Sequence, residues 1–186
     1  MTDETTEGRP RVLVVEDEKE LADLYTDYLR DQYDVLTAYS GEEALDLVDE
    51  AVDVVLLDRR MPVVSGNEVL ATIEEEDVQM RVAMVTAVNP DFDIIDLRID
   101  DYLVKPVTRQ EVIDTVDRLL TIDEYNQRVQ DLTAKKLKRN VLEVEKTTAE
   151  LADSQEFDRL TREIDSLEAE VESIAEELDA ENLERY

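Results

Sequence analysis

Between Arg11 and Val104 the chain alternates two kinds of apolar pattern. Short runs nearly continuous in Val, Leu and Ile fall at residues 11–15, 33–38, 53–57, 81–86 and 101–104, as expected of parallel strands covered on both faces. Between them apolar residues recur at helical spacing. Leu21, Leu24, Tyr25, Tyr28 and Leu29 share one face, as do Ala44, Leu45 and Val48, and later Val69, Leu70 and Ile73. An acid or hydroxyl followed three residues on by Glu marks helix starts at Asp17/Glu20, Ser40/Glu43, Ser65/Glu68 and Thr108/Glu111. Asn89-Pro90 predicts another start, with proline at the first helical position. Five such units predict an α/β fold: a doubly wound, five-stranded parallel sheet that presents ligand sites at the carboxyl ends of its strands.

The pattern changes after Pro106. All three glycines and all four prolines lie at or before that residue, so turns belong to the first part and the rest reads as helix. We therefore divide the chain into a flexible start (residues 1–10), a compact α/β domain (11–121) and a helical domain (122–186). Val112, Val116, Leu119, Ile122, Tyr125, Val129 and Leu132 form one seam, which then slips to Leu137, Val141, Val144 and Leu151. Asp153 with Glu156 reads as a capping box, which places a helix break near residues 152–155. From Phe157 the steps alternate three and four through Leu160, Ile164, Leu167, Val171, Ile174 and Leu178, the seam of a helical hairpin or coiled coil. The expected arrangement is an antiparallel hairpin in which Leu137, Val141, Val144 and Leu151 meet that second seam. The remaining face of the first helix is then left for dimerisation.

Composition narrows the chemistry. Neither Cys nor His occurs, which removes disulfides, Cys-type zinc sites and histidine-based catalysis. No apolar run approaches the roughly 20 residues that span a bilayer, and the acidic start is unlike a signal peptide. These features predict a soluble, cytoplasmic chain without membrane attachment. The net charge of -30 would strain a compact state through self-repulsion, which molar salt relieves. A salt-accumulating halophile is the favoured reading, and an unusually acidic mesophilic protein is the alternative.

Five polar residues stand at predicted strand ends: Glu16 and Asp17 after the first strand, Asp58 after the third, Thr86 ending the fourth and Lys105 after the fifth. Taken singly, each acid is as readily a helix cap or a solvated loop residue. Together they form a carboxylate cluster that a cation must neutralise. Its all-oxygen donor set suits Mg²⁺, and the hydroxyl and ammonium could bind the oxygens of a phosphoryl group on Asp58.

The stretches VLVVEDE, VVLLDRRMPVVSG, VAMVTA and DDYLVKP, in this order, resemble the flavodoxin-like receiver domains of two-component response regulators from residue 11 to about residue 120. The resemblance implies that Asp58 accepts phosphate from a sensor histidine kinase. It further implies Mg²⁺ held by Asp17, Asp58 and the backbone carbonyl of Arg60, with Glu16 acting mainly through metal-bound water. Lys105 would pair with the phosphoryl group, Thr86 would bond it, and Tyr102 would be the switch aromatic; a plain strand tyrosine is the other reading of Tyr102. Such a domain is a phosphoacceptor rather than a turnover enzyme, with at most slow self-catalysed phosphotransfer and dephosphorylation. The chain departs from the family pattern in its Glu-Asp acidic pair, in Ile99 before Asp100 and in Val107 after the Lys-Pro pair. Arg59-Arg60 beside the acceptor is unusually basic, and either tunes access or offsets local charge repulsion.

The tail, from Tyr125 through KKLKRNVLEVEKTTAELADSQEF to the acidic repeats, is similar to the HalX domain of haloarchaeal response regulators. It shows no Gly-rich phosphate loop and no metal-ligand cluster. Lys135, Lys136, Lys138 and Arg139 form its basic cluster. Read one way they contact nucleic-acid phosphates; read the other way they are a solvated face paired with Asp131 and Glu143. Two outputs stay open. The tail either regulates transcription, through DNA or a DNA-bound partner, or acts as an interaction or homodimerisation module without nucleic acid. Outward-facing basic residues favour the first, whereas their burial or an exposed apolar seam favours the second.

Overall fold

The computed structural model of the chain describes residues 8–76 and 78–184. Residues 1–7 of the expected flexible start lie outside the described residues. The chain forms two compact units, Met1–Leu120 and Thr121–Tyr186. Among the described residues no helix is long and apolar enough to cross a membrane.

The first unit is built on a parallel sheet of β1 (Arg11–Val15), β2 (Asp34–Ala38), β3 (Val54–Leu57), β4 (Arg81–Thr86) and β5 (Asp101–Val104). Its order is β2-β1-β3-β4-β5, so the chain reverses direction across the sheet between β1 and β3, where α/β sheets open a crevice. The all-apolar runs sit where predicted, with Val12 to Val15 and Val54 to Leu57 buried. Helices α1 (Lys19–Leu29), α2 (Gly41–Leu47) and α3 (Gly66–Glu75) connect the first four strands. Leu13, Leu57, Val69 and Met84 belong to one buried cluster that joins sheet and helices. Register then aligns the strand ends. Val15 pairs with Leu57 and Thr86 with Val104, so the residues that follow leave the sheet side by side.

Most predicted caps form. Ser40 accepts from Glu43 N–H at 3.1 Å, Ser65 and Glu68 close a full capping box, and Thr108 accepts from Glu111 N–H at 3.2 Å. Two expectations fail. Asp17 does not cap α1: the N-cap is Glu18, without a side-chain hydrogen bond, and Asp17 turns to the strand ends instead. Nor does a helix start at Asn89-Pro90. The connection from β4 to β5 contains only a 3-10 turn, Phe92–Asp96, capped by Asp91, which accepts from Phe92 N–H at 2.7 Å. A longer helix has little to stabilise it here. Phe92 and Ile95 are 84% and 76% exposed, so no apolar face is buried to offset the cost of helix nucleation.

A long helix, α4 (Arg109–Glu145), begins in the first unit and continues in the second, followed by α5 (Thr148–Ala152) and α6 (Gln155–Glu184). In the second unit α4 and α6 run antiparallel. Arg128 pairs with Glu170 at 3.4 Å, Lys136 with Glu168 at 2.6 Å and Lys135 with Glu163 at 2.6 Å, so both lysines, later in α4 than Arg128, meet acids earlier in α6 than Glu170. Leu132, Ile164 and Leu167 are buried between the helices, with Leu160 and Val171 packed against them.

This hairpin uses a different face of α4 from the one expected. Arg128, Leu132, Lys135 and Arg139 recur at steps of four, three and four and make one stripe. Leu137, five residues beyond Leu132, is rotated about 140° from it. Leu137, Val141 and Val144 therefore point away from the packed stripe and are 61%, 60% and 82% exposed, while Leu151 belongs to α5. The break expected near residues 152–155 is present between α5 and α6, but it is preceded by a second one and capped differently. Thr147 and Glu150 form an additional capping box that starts α5. Before α6 the hydroxyl that accepts from Phe157 N–H, at 3.1 Å, is that of Ser154 and not the carboxylate of Asp153.

Candidate functional site

The carboxyl edge of the sheet gathers four charged residues of the first unit. β1 delivers Glu16 and Asp17, and β3 delivers Asp58. Each of these acids offers an oxygen within 4.8 Å of the others'. Glu16 and Asp58 are only 2% and 6% exposed, whereas Asp17 faces solvent. β5 delivers Lys105, whose ammonium bonds Glu16 and lies 3.4 Å from Asp58 Oδ2. Three carboxylates against one ammonium leave a formal charge of -2. Carboxylates this close repel one another.

The backbone supports this cluster. Asp58 N–H donates to Val15 C=O at 2.9 Å, tying the end of β3 to that of β1. Glu18 N–H donates to Glu16 Oε1 at 3.3 Å and Arg60 N–H to Asp58 Oδ1 at 3.4 Å. A Cβ on Gly66 would stand 2.2 Å from the Asp58 carbonyl oxygen, so glycine is what lets α3 start against the backbone of Asp58. Burial pushes the Glu16 carboxyl above its ordinary range, while the hydrogen bond and charge of Lys105 oppose that rise. The neighbouring Tyr25 phenol is pushed up to about 12, first by burial and then by the Glu16 charge.

Thr86 ends β4 fully buried. Its carbonyl accepts from Lys105 N–H at 2.9 Å, and its hydroxyl accepts from Val88 N–H at 3.3 Å. Tyr102 is half-buried, and its hydroxyl donates to Val88 C=O at 2.8 Å. Arg60 is exposed. One contributor, Val88, escaped the sequence reading, and so did the partner of another, Arg59. Val88 serves through its backbone alone, and its only signal was a Thr two residues earlier, the spacing of a hydroxyl turn. Arg59 is nearly buried, and its guanidinium pairs with Asp93 of the 3-10 turn. Asp93 and then Tyr102 favour its charged form. The Arg59-Arg60 pair was visible in the sequence, but its acidic partner 34 residues on was not.

In the second unit the four basic residues divide. Lys135 and Lys136 are half-buried and paired with Glu163 and Glu168 on α6, Arg139 lies 3.8 Å from Glu143, and Lys138 is exposed. The acids that neutralise this cluster thus come mainly from across the hairpin, with Glu143 the one expected partner that takes part.

Chemically, the first unit offers a buried carboxylate, a neighbouring ammonium and three oxygen donors with excess negative charge. That donor set fits a hard divalent cation. Residues 12–117 match the response regulator receiver domain, and residues 121–186 match the HalX domain. A Haloferax volcanii protein, provisionally named a transcriptional regulator, is 50% identical over 124 residues, a match covering 66% of this chain and 21% of that protein. Thus the match spans only about a fifth of that relative's length. A signal receiver domain from Vibrio parahaemolyticus superposes with a TM-score of 0.60 at 30% identity, covering 66% of this chain and 98% of the other. The Thermotoga maritima response regulator TrrA, solved with Mg²⁺ and a beryllium fluoride, gives a TM-score of 0.52 at 32% identity, covering 59% and 98% of the two chains. From the fold, the acidic strand ends and these matches together, the chain belongs to the response regulators, a receiver domain followed by a HalX domain.

Proposed function

We propose that Asp58 is the phosphoacceptor of a two-component phosphorelay and that a sensor histidine kinase is its donor. The observation that carries this reading is the meeting of Glu16, Asp17 and Asp58 within 4.8 Å, with Lys105 bridging Glu16 and Asp58. An Asp58 carboxylate oxygen attacks the phosphorus of a phosphohistidine. A P–O bond forms, the P–N bond breaks, and the electron pair leaves on the imidazole nitrogen, which is protonated from solvent. Lys105 offers its ammonium to the oxygens of the transferred group, and the Thr86 hydroxyl is a second donor once it turns from Val88. The residues that would hold Mg²⁺ are Asp17, Asp58 and the Arg60 carbonyl, with Glu16 through water. Bound there, the ion would offset the formal -2 charge and the charge of the incoming phosphoryl group. Asp58 takes up and releases phosphate rather than turning over a substrate, its self-catalysed steps being slow.

The output of the HalX unit is transcriptional control, a reading supported by the name of the Haloferax relative. A second reading, a protein-interaction module that does not bind DNA, is favoured by the pairing of Lys135 and Lys136 with α6 acids and by the exposure of Leu137, Val141 and Val144. The acceptor assignment is tested with Asp58→Asn. This variant should fold and yet gain no acyl-phosphate mass from a small phosphodonor with Mg²⁺. Incorporation equal to wild type would overturn the assignment. Genomic-DNA binding at native salt, with and without phosphodonor, separates the two outputs.

A further inference from the structure

We propose that the HalX unit binds a second copy of this chain through the outer face of α4, in an antiparallel, two-fold arrangement centred near Val141. Leu137, Val141 and Val144 form an apolar stripe at steps of four and three, 60–82% exposed, on an otherwise charged helix surface. Steps of four and three make the seam along which two helices interlock. Beside it, a groove of about 760 Å³ carries Leu137 and Val141 on one wall and Phe157 and Leu160 on the other. The surface is therefore broader than one helix edge.

Charge identifies the occupant. Around the stripe Lys135 pairs with Glu163, Lys136 with Glu168, Arg139 with Glu143 and Lys146 with Glu150. Among the described residues Lys138 and Glu145 have no ion-pair partner. They are seven residues apart, hence on the same flank of the stripe. A two-fold axis perpendicular to the helices keeps that flank on the same side in both copies and reverses the chain direction. Lys138 of each copy then lies beside Glu145 of the other, twice by symmetry. A parallel pairing, with its two-fold axis along the helices, would instead put the two flanks on opposite sides of the seam, where Lys138 of one copy could not meet Glu145 of the other. A phosphate backbone fits less well, because apolar side chains and an acid occupy the surface that it would have to meet.

The full chain carries no cysteine, so single thiols can be placed at will. Wild type is expected to sediment as a concentration-dependent dimer. Val141→Asp, which would bury an unpaired carboxylate in each half of the interface, should raise the dimer Kd at least about tenfold with the helical signal unchanged. Should that variant unfold, cross-linking decides. Val141→Cys should cross-link to itself through a short bis-thiol reagent, whereas Ala134→Cys should not, its two copies being about 22 Å apart along the axis at 1.5 Å per residue. A monomeric wild type, an intact Val141→Asp dimer, or equal cross-linking at both positions would overturn the proposal. So would a monomeric Val141→Cys variant whose new thiol resists alkylation, which would mean that the receiver of the same chain covers the stripe. A Val141→Asp variant that loses only DNA binding, its oligomeric state unchanged, would assign the face to nucleic acid instead. None of these outcomes depends on Asp58 chemistry, so they stand apart from the phosphoacceptor test.

Discussion

Ile164→Ala should strongly destabilise the HalX unit while leaving the receiver's stability unchanged. Ile164 has no exposed surface and is buried with Leu132 and Leu167, against which Leu160 and Val171 pack. The substitution removes three side-chain carbons, roughly 0.8 kcal/mol each or about 2.4 kcal/mol of transfer free energy. The residual cavity brings the loss to about 3–4 kcal/mol, within the usual range for isoleucine to alanine. A unit spanning residues 121–186 has on the order of 3–10 kcal/mol in total, so the variant loses from about a third of that stability to all of it. Leu137→Ala provides the contrast. At 61% exposure it should shift stability by no more than about 0.5 kcal/mol, at dilutions that keep the chain monomeric. Urea titrations followed by far-ultraviolet circular dichroism, with Tyr fluorescence as a second probe, resolve the two units. Equal shifts from the two substitutions, or a loss below about 1 kcal/mol for Ile164→Ala, would refute the assignment of the buried face.

Lys105→Met strips the buried Glu16 carboxylate of its cation and should raise further a pKa that burial already lifts. The folded state then holds that proton more tightly than the unfolded state, so receiver stability is kept at acid pH and falls as pH climbs from the ordinary glutamate range through the raised folded value. Urea midpoints of wild type and variant, taken from acid to neutral pH with divalent ions chelated, should diverge upward through that window; parallel curves would contradict it. Val63 holds a φ of 66°, a region costly for a β-branched side chain, so Val63→Asn should raise receiver stability by about 1 kcal/mol, and an unchanged melting temperature would show that no strain is relieved. With a net charge of -30, melting temperature should rise steeply from low to molar KCl as like charges are screened; a flat profile would favour the acidic mesophile.

The receiver was legible because its strands are covered on both faces. Runs such as Val12 to Val15 must be apolar throughout, and the residues ending such runs must meet at one edge. Glu16, Asp58 and Lys105 could therefore be placed together from strand order alone. The Asn89-Pro90 start misled because a favourable first turn does not make a helix without an apolar face to bury, and Phe92 and Ile95 bury none. In the tail, periodicity showed two stripes on α4, one through Leu132 and one through Leu137, without showing which meets α6. The deciding information was electrostatic: Arg128, Lys135 and Lys136 find acids at Glu170, Glu163 and Glu168, a match between segments distant in sequence. The Thr147/Glu150 box was present in the sequence all along, hidden by a helical pattern continuous enough to read through it.

Val88 holds the Thr86 hydroxyl through its N–H and the Tyr102 hydroxyl through its C=O. The connection between these two residues thus runs through backbone atoms, and the side chain at position 88 is free to vary without cutting it. Proline is the exception. It lacks the N–H and keeps the carbonyl, so Val88→Pro would release the Thr86 hydroxyl while Tyr102 retains its anchor. Thermodynamic reciprocity gives the connection a second direction. Whatever factor an anion bound by Thr86 imposes on the position of Tyr102, a partner that selects that tyrosine position must impose on the affinity for the anion. A protein docking at Tyr102 would therefore act, without touching Thr86, on how much anion the site retains at equilibrium.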